Sequence, residues 1–156
     1  MIFSNIEDVQ EFTVNLISSL EDALEMAEDS PAFVGGIFEE LAENAEFDVY
    51  DRYAEDILNP VGRERLNVLM HRNDAVLTFQ SAGHGFKDAV KYVLPKVLLG
   101  PIYHCFTYFD VIKALIGVSE DDGDRESLEQ ANGVLHQLKV QVEDKLNRTK
   151  LKRKPW

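Results

Sequence analysis

Between Phe86 and Ile116 the chain places apolar residues at helical spacing with almost no interruption, and few architectures accommodate such a stretch. Phe86, Ala89, Val90, Val93, Leu94, Val97 and Leu98 recur at i, i+3, i+4 and i+7 and write one continuous stripe, so this helix is expected to be buried. Pro95 removes the hydrogen bond to the Lys91 carbonyl and clashes there, at a cost of about 3 kcal/mol unless the helix bends, which predicts a kink near Lys91. Gly100 is free to take positive φ at a helix C-terminus, and Pro101 suits the first turn of the next helix. One helix is therefore expected to stop and another to start within two residues. The second, Pro101 to about Ile116, carries Ile102, Cys105, Phe106, Phe109, Ile112 and Ile116 on one stripe and Tyr108, Val111 and Leu115 on another. A helix apolar nearly all round is a central core helix, or lies half in the core and half under a partner.

Composition sets the bounds within which that pair must work. At 156 residues the chain has the length of one domain, able to bury about two-thirds of its unfolded surface without disulfides or metal. The single cysteine, Cys105, sits within an apolar stripe and points to a reducing compartment. The start MIFSNIEDV lacks the basic region and apolar run of a signal peptide, and no stretch approaches the roughly 18 uncharged apolar residues of a membrane span, so a cytoplasmic location is expected. The net charge of −12 is unevenly placed: residues 1–144 carry ten basic and 28 acidic residues, whereas residues 145–156 hold six basic residues and no acid. Such a body repels nucleic acid and anionic lipid, and only the 145–156 tail would attract them. Basic residues at a helix C-terminus also complement its dipole, which explains the tail without any ligand.

Further along the chain, Ser4 and Glu7 have capping-box spacing ahead of a helix from about Asn5 to Glu28, with Val9, Phe12, Leu16, Leu20, Leu24 and Ala27 facing one way. Residues 32–44 are again helical in pattern, and Gly35-Gly36 marks close packing or a late helix start, since no strand, lysine or serine accompanies it to make a phosphate loop. Tyr50, Tyr53, Ala54 and Ile57 make a short helix ended by Asn59-Pro60, with core rings and wet hydroxyls expected for the tyrosines. Shorter helices follow at about residues 62–72 and around Val76, Leu77 and Phe79. A polar turn at residues 119–124 supplies caps and negative charge to the last helix. There Leu128, Ala131, Leu135, Leu138, Val142 and Leu146 form a heptad-like seam that should lie along the central pair.

No alternating pattern supports a sheet, so the class is all-α with roughly seven helices. His71 and His84 lack metal-ligand spacing, no nucleophile motif occurs, and the many acids single out no catalytic pair. The residues alone define an acidic helical interaction domain without covalent chemistry.

The order of segments goes further. IFSNIEDVQEFTVNLISSLEDAL at Ile2–Leu24 resembles the second helix of Dbl homology domains, the exchange-factor modules for Rho-family GTPases, and FEELAENAEFDVYDRYAEDIL at Phe38–Leu58 resembles their middle block. LPKVLLGPIYHCFTYFDVIKAL at Leu94–Leu115 is similar to their third block. The resemblance implies an elongated helical bundle that binds a Rac- or Rho-family GTPase, without a cofactor, and holds it nucleotide-free until GTP enters. It places Gly100, Ile102 and Tyr103 on the GTPase-facing start of the third block and His136 at the contact position of the last helix. Gly100 stands where the family commonly has lysine, and His136 where many members have asparagine.

By the same likeness the chain begins at the family's second helix and ends before the pleckstrin homology domain that commonly follows. It is thus expected to be a fragment or shortened relative, a partial Dbl homology domain over residues 1–156. Loss of the first helix is expected to expose Val9, Phe12, Leu16 and their neighbours and to invite self-association. A second role implied by the resemblance is regulatory, without exchange activity, through packing on a Ras-exchange region in a longer chain. Recruitment to the plasma membrane, with anionic lipid contact through the basic tail, is expected in that setting.

Overall fold

The computed structural model describes residues 2–151 of the chain, and side chains through residue 149. It is all-helical, with no strand among the described residues. Two long helices carry the fold: α7, Gly100–Val118, and α8, Asp122–Leu151. Only residues 119–121 separate them, and the two helices pack on each other, so they run antiparallel as a helical hairpin. At 1.5 Å per residue, the 30-residue α8 is about 45 Å long. The turn is held as its composition suggests: Asp121 Oδ2 accepts from the Asp124 N–H at 2.8 Å, the Ser119 hydroxyl donates to Asp124 Oδ2 at 3.1 Å, and the Arg125 guanidinium donates to the Ser119 carbonyl.

Four further helices precede this hairpin: α1, Ile6–Ala27; α2, Gly35–Glu43; α3, Val49–Leu58, entered through a short 3₁₀ turn at Glu46–Asp48; and α4, Pro60–Met70. Then come α5, Asn73–Ser81, and a segment α6 over residues 86–97. The heptad seam is the floor of the core, for Leu128, Ala131, Leu135, Leu138, Val142 and Leu146 are all buried. From α7 it receives Ile102, Cys105, Tyr108, Phe109 and Ile112, and from α1 it receives Val9, Phe12 and Leu16. Burial of each large aliphatic or aromatic side chain stabilises by about 1.5–3 kcal/mol. Phe12, Phe47, Tyr50 and Tyr108 meet edge-on or tilted, with ring centroids 4.8–6.0 Å apart.

Gly35 shows why α2 starts late. Its N–H donates to Asp124 Oδ1 at 2.7 Å, and a Cβ there would lie 2.4 Å from the Asp124 carbonyl oxygen. Only glycine lets the first residue of α2 approach the start of α8 so closely, so both readings apply at Gly35, whereas a Cβ at Gly36 would meet nothing within 4 Å.

Five expectations from the sequence need correction. First, no residue of α6 is buried: Phe86, Val93 and Val97 are 44%, 54% and 60% exposed. Where a kink was expected near Lys91, the structure has a π-turn over Ala89–Val93, in which the Leu94 N–H reaches the Ala89 carbonyl. A wider turn slips the helical phase by roughly one residue, about 100°, so the stripe continuous in sequence splits into two faces in space. Second, Gly100 is the first residue of α7 with ordinary φ; the left-handed glycines are Gly83 and Gly85.

Third, Ser4 does not form a capping box with Glu7. Its own φ is +49°, and its hydroxyl donates to Asp56 Oδ2 at 2.5 Å. Fourth, Val9, Phe12 and Leu16 are buried at 6%, 5% and 3% exposure, Phe12 against rings of the 3₁₀ turn, α3 and α7, while their neighbours Val14 and Ile17, with Leu24 and Met26, are the large apolar residues that α1 exposes. Fifth, the hydroxyls of Tyr50 and Tyr53 are bonded to protein groups rather than wet. Of the basic tail, residues 152–156 lie outside the described residues.

Candidate docking surface

The start of α7 is fixed from beneath. Residues 98 and 99 turn between α6 and α7, and Pro101 has no N–H to offer backward. The Tyr53 hydroxyl, on a side chain with no exposed surface, donates to the Leu98 carbonyl at 2.7 Å and satisfies it. Burial pushes the Tyr53 phenol up to about 12, so it stays a donor throughout the neutral range. Two residues to either side on α3, Asp51 and Glu55 accept from Lys145 of α8 at 2.5 and 3.1 Å. Burial disfavours the lysine's charge, but the hydrogen bonds to both carboxylates outweigh it and raise its pKa. A single stretch of α3 thus clamps both the Leu98–Gly100 junction and the distal third of α8.

Antiparallel register gives the rest of the layout. Equal rise from the 119–121 turn puts Tyr103 level with about residue 137 and Gly100 level with about residue 140. Gly100, Tyr103 and His136 are exposed, Tyr103 by 50%, and fall within roughly one helical turn of a common level along the hairpin. Val111, Val134 and Val140 add apolar surface to the same two helices at 41%, 39% and 43% exposure. Ile102 is different. It has no exposed area and belongs to the core, so its place in the docking group is corrected: it holds the backbone beneath Tyr103 and cannot itself touch a partner. A Cβ at Gly100 would meet no atom within 4 Å, so nothing in the packing demands glycine there.

The surface is suited to contact. Cys105 is fully buried, and burial pushes its thiol up to about 12, which leaves it without the thiolate a nucleophile needs. No group of metal-binding side chains occurs among the described residues. His104 and Tyr108 share a hydrogen bond of 3.0 Å that continues to Tyr50 at 3.4 Å, a chain that orders rings rather than moving protons to a pocket. Sequence reasoning missed the α3 clamp. Its bonds from Tyr53 to Leu98 and from Lys145 to Asp51 join residues 45 and 94 positions apart, and the only local signal was two tyrosines and a carboxylate pair on one short helix.

A long antiparallel helical hairpin with the other helices packed against it defines an all-α bundle. The chain belongs to the RhoGEF domain family, whose description matches residues 1–143. It is 52% identical over 143 residues to "Protein son of sevenless" of Drosophila melanogaster, an alignment covering 91% of this chain and 9% of that protein. It is 27% identical over 161 aligned positions to "Son of sevenless homolog" of Caenorhabditis elegans, covering 92% of this chain and 11% of the relative. The chain therefore spans about a tenth of the length of these relatives. No described helix is long and apolar enough to cross a membrane.

Proposed function

We propose that this chain is a guanine-nucleotide exchange module that docks a Rac- or Rho-family small GTPase on the α7–α8 face and promotes GDP release. The observation that supports this is the family match over residues 1–143 together with the exposure of Gly100, Tyr103 and His136 at one level of the hairpin. No covalent step is involved. The domain accelerates release only by binding the empty GTPase more tightly than the loaded one, and each tenfold of that preference is about 1.4 kcal/mol. Gly100 in place of the family's usual lysine removes one polar contact, and Tyr103 supplies the apolar area that compensates. The test is release of a fluorescent GDP analogue from a panel of Rho-family GTPases. Acceleration that falls with Tyr103→Ala and with His136→Ala supports the reading, and unchanged rates in both variants refute the placement.

A regulatory reading without exchange activity is favoured by a second surface. Met26 and Phe33 are 85% and 63% exposed and line a groove of about 1090 Å³ between α1 and the α7–α8 turn, away from the Tyr103 level. In a longer chain this end would pack on a Ras-exchange region. Silence in the release assay, paired with binding to a Ras-exchange fragment that Met26→Glu abolishes, would select it.

A further inference from the structure

We propose that the cleft between α4 and α6 docks an acidic peptide segment through an apolar anchor. The cleft holds about 420 Å³ and is floored by Leu66 and Met70, with Tyr92 and Pro95 as its apolar wall. Its charged lining residues are Arg63, Lys91 and Lys96, and it has no acid. That is the reverse of its surroundings, because residues 1–144 carry 28 acids against ten bases. Three of the ten bases converge on one concavity of an otherwise repulsive surface.

Two of them are uncommitted. Neither Arg63 nor Lys91 has a carboxylate within ion-pair distance among the described residues, and Lys91 Nζ lies 5.0 Å from the centre of the Tyr92 ring. Elsewhere the arginines Arg52, Arg72 and Arg125 all have acidic partners. Tyr92 is 57% exposed, so an arriving side chain meets an aromatic ring as well as charge.

Charge complementarity selects an acidic occupant, and shape selects a peptide. A membrane surface is met by protruding basic and aromatic residues, whereas here the apolar floor is recessed behind a cationic rim. A recessed floor takes a leucine or phenylalanine, and a rim of arginine and lysine takes flanking glutamates or aspartates. The cleft lies on α4 and α6, so it is distinct from the α7–α8 face and its occupancy does not depend on exchange activity.

The experiment is fluorescence anisotropy with the full chain and two labelled probes: a short peptide of alternating glutamate and leucine with one phenylalanine, and its lysine-for-glutamate counterpart. The acidic probe is expected to bind, the basic one not, with affinity falling as salt rises. Arg63→Glu combined with Lys91→Glu should weaken the acidic probe about tenfold or more, and Tyr92→Ala should weaken it while leaving the salt dependence in place. Lys113→Glu, an exposed reversal on α7, should leave binding unchanged, and far-UV circular dichroism checks that each variant is folded. Binding unaffected by the Arg63 and Lys91 reversals overturns the proposal. So does equal binding of the basic probe, or binding of phosphatidylserine vesicles with no binding of either peptide, or self-association that these reversals abolish.

Discussion

Replacing Tyr53 by phenylalanine deletes one oxygen and leaves the ring. That oxygen is the donor to the Leu98 carbonyl at 2.7 Å, in a place where the tyrosine has no exposed surface, so water cannot substitute without opening the junction. A lost hydrogen bond costs about 0.5–1.5 kcal/mol net, and a carbonyl left unpaired raises the figure, so about 1–2 kcal/mol is expected. For a chain of 156 residues this is a fall in Tm of about 3–6 °C. Thermal melts followed by far-UV circular dichroism measure it, and amide exchange should quicken at Leu98 to Tyr103 ahead of the rest of α7. Tyr50→Phe is the internal control: its hydroxyl lies 3.4 Å from that of Tyr108, a weaker bond, so its loss should cost less. The pH dependence has a definite sign. The folded phenol titrates near 12 against an ordinary value of 10.0, so its stabilisation is complete below pH 10 and drains away as pH rises toward 12. Tyr53→Phe should be the less alkali-sensitive protein over that interval. A melt indistinguishable from the parent, or a larger loss in Tyr50→Phe, would refute the clamp.

Gly35→Ala should destabilise by about 1–3 kcal/mol in urea titration, because its Cβ would lie 2.4 Å from a backbone oxygen that α8 cannot move. Lys145→Met should cost about 1–2 kcal/mol and leave Asp51 without its partner; Asp51→Asn in the same background should recover part of that, as read by a double-mutant cycle. Leu138→Ala in the seam should cost about 2–5 kcal/mol by chemical denaturation, whereas Val140→Ala, 43% exposed two residues away, should fall well below that.

The hairpin was legible because its signal is local: a residue three or four places along a helix lands on the same face whatever the rest of the chain does, and all six seam residues are buried. The same logic misplaced α6. Periodicity establishes that a face exists and says nothing of whether another element covers it, and the π-turn then divided the face. The capping-box spacing at Ser4 was outcompeted by a carboxylate from α3, Asp56, that no local window contains. Among the four residues that the family likeness singled out, the spacing rule that put Ile102 on a core stripe was the better guide to its side chain, while Gly100, Tyr103 and His136 are exposed. The clamp by Tyr53 and Lys145 required pairing across distant segments, which a single sequence does not encode as a pattern.

Four rings from three helices and a connecting 3₁₀ turn come together where Phe12, Phe47, Tyr50 and Tyr108 touch. Two are tyrosines, chromophores held in a fixed asymmetric environment only while α1, α3 and α7 are all in place. The share of the near-ultraviolet dichroism that Tyr50 and Tyr108 contribute is therefore a gauge of whole-domain assembly: a partner that merely covers the surface will leave that share in place, and one that pries the hairpin from α1 will remove it.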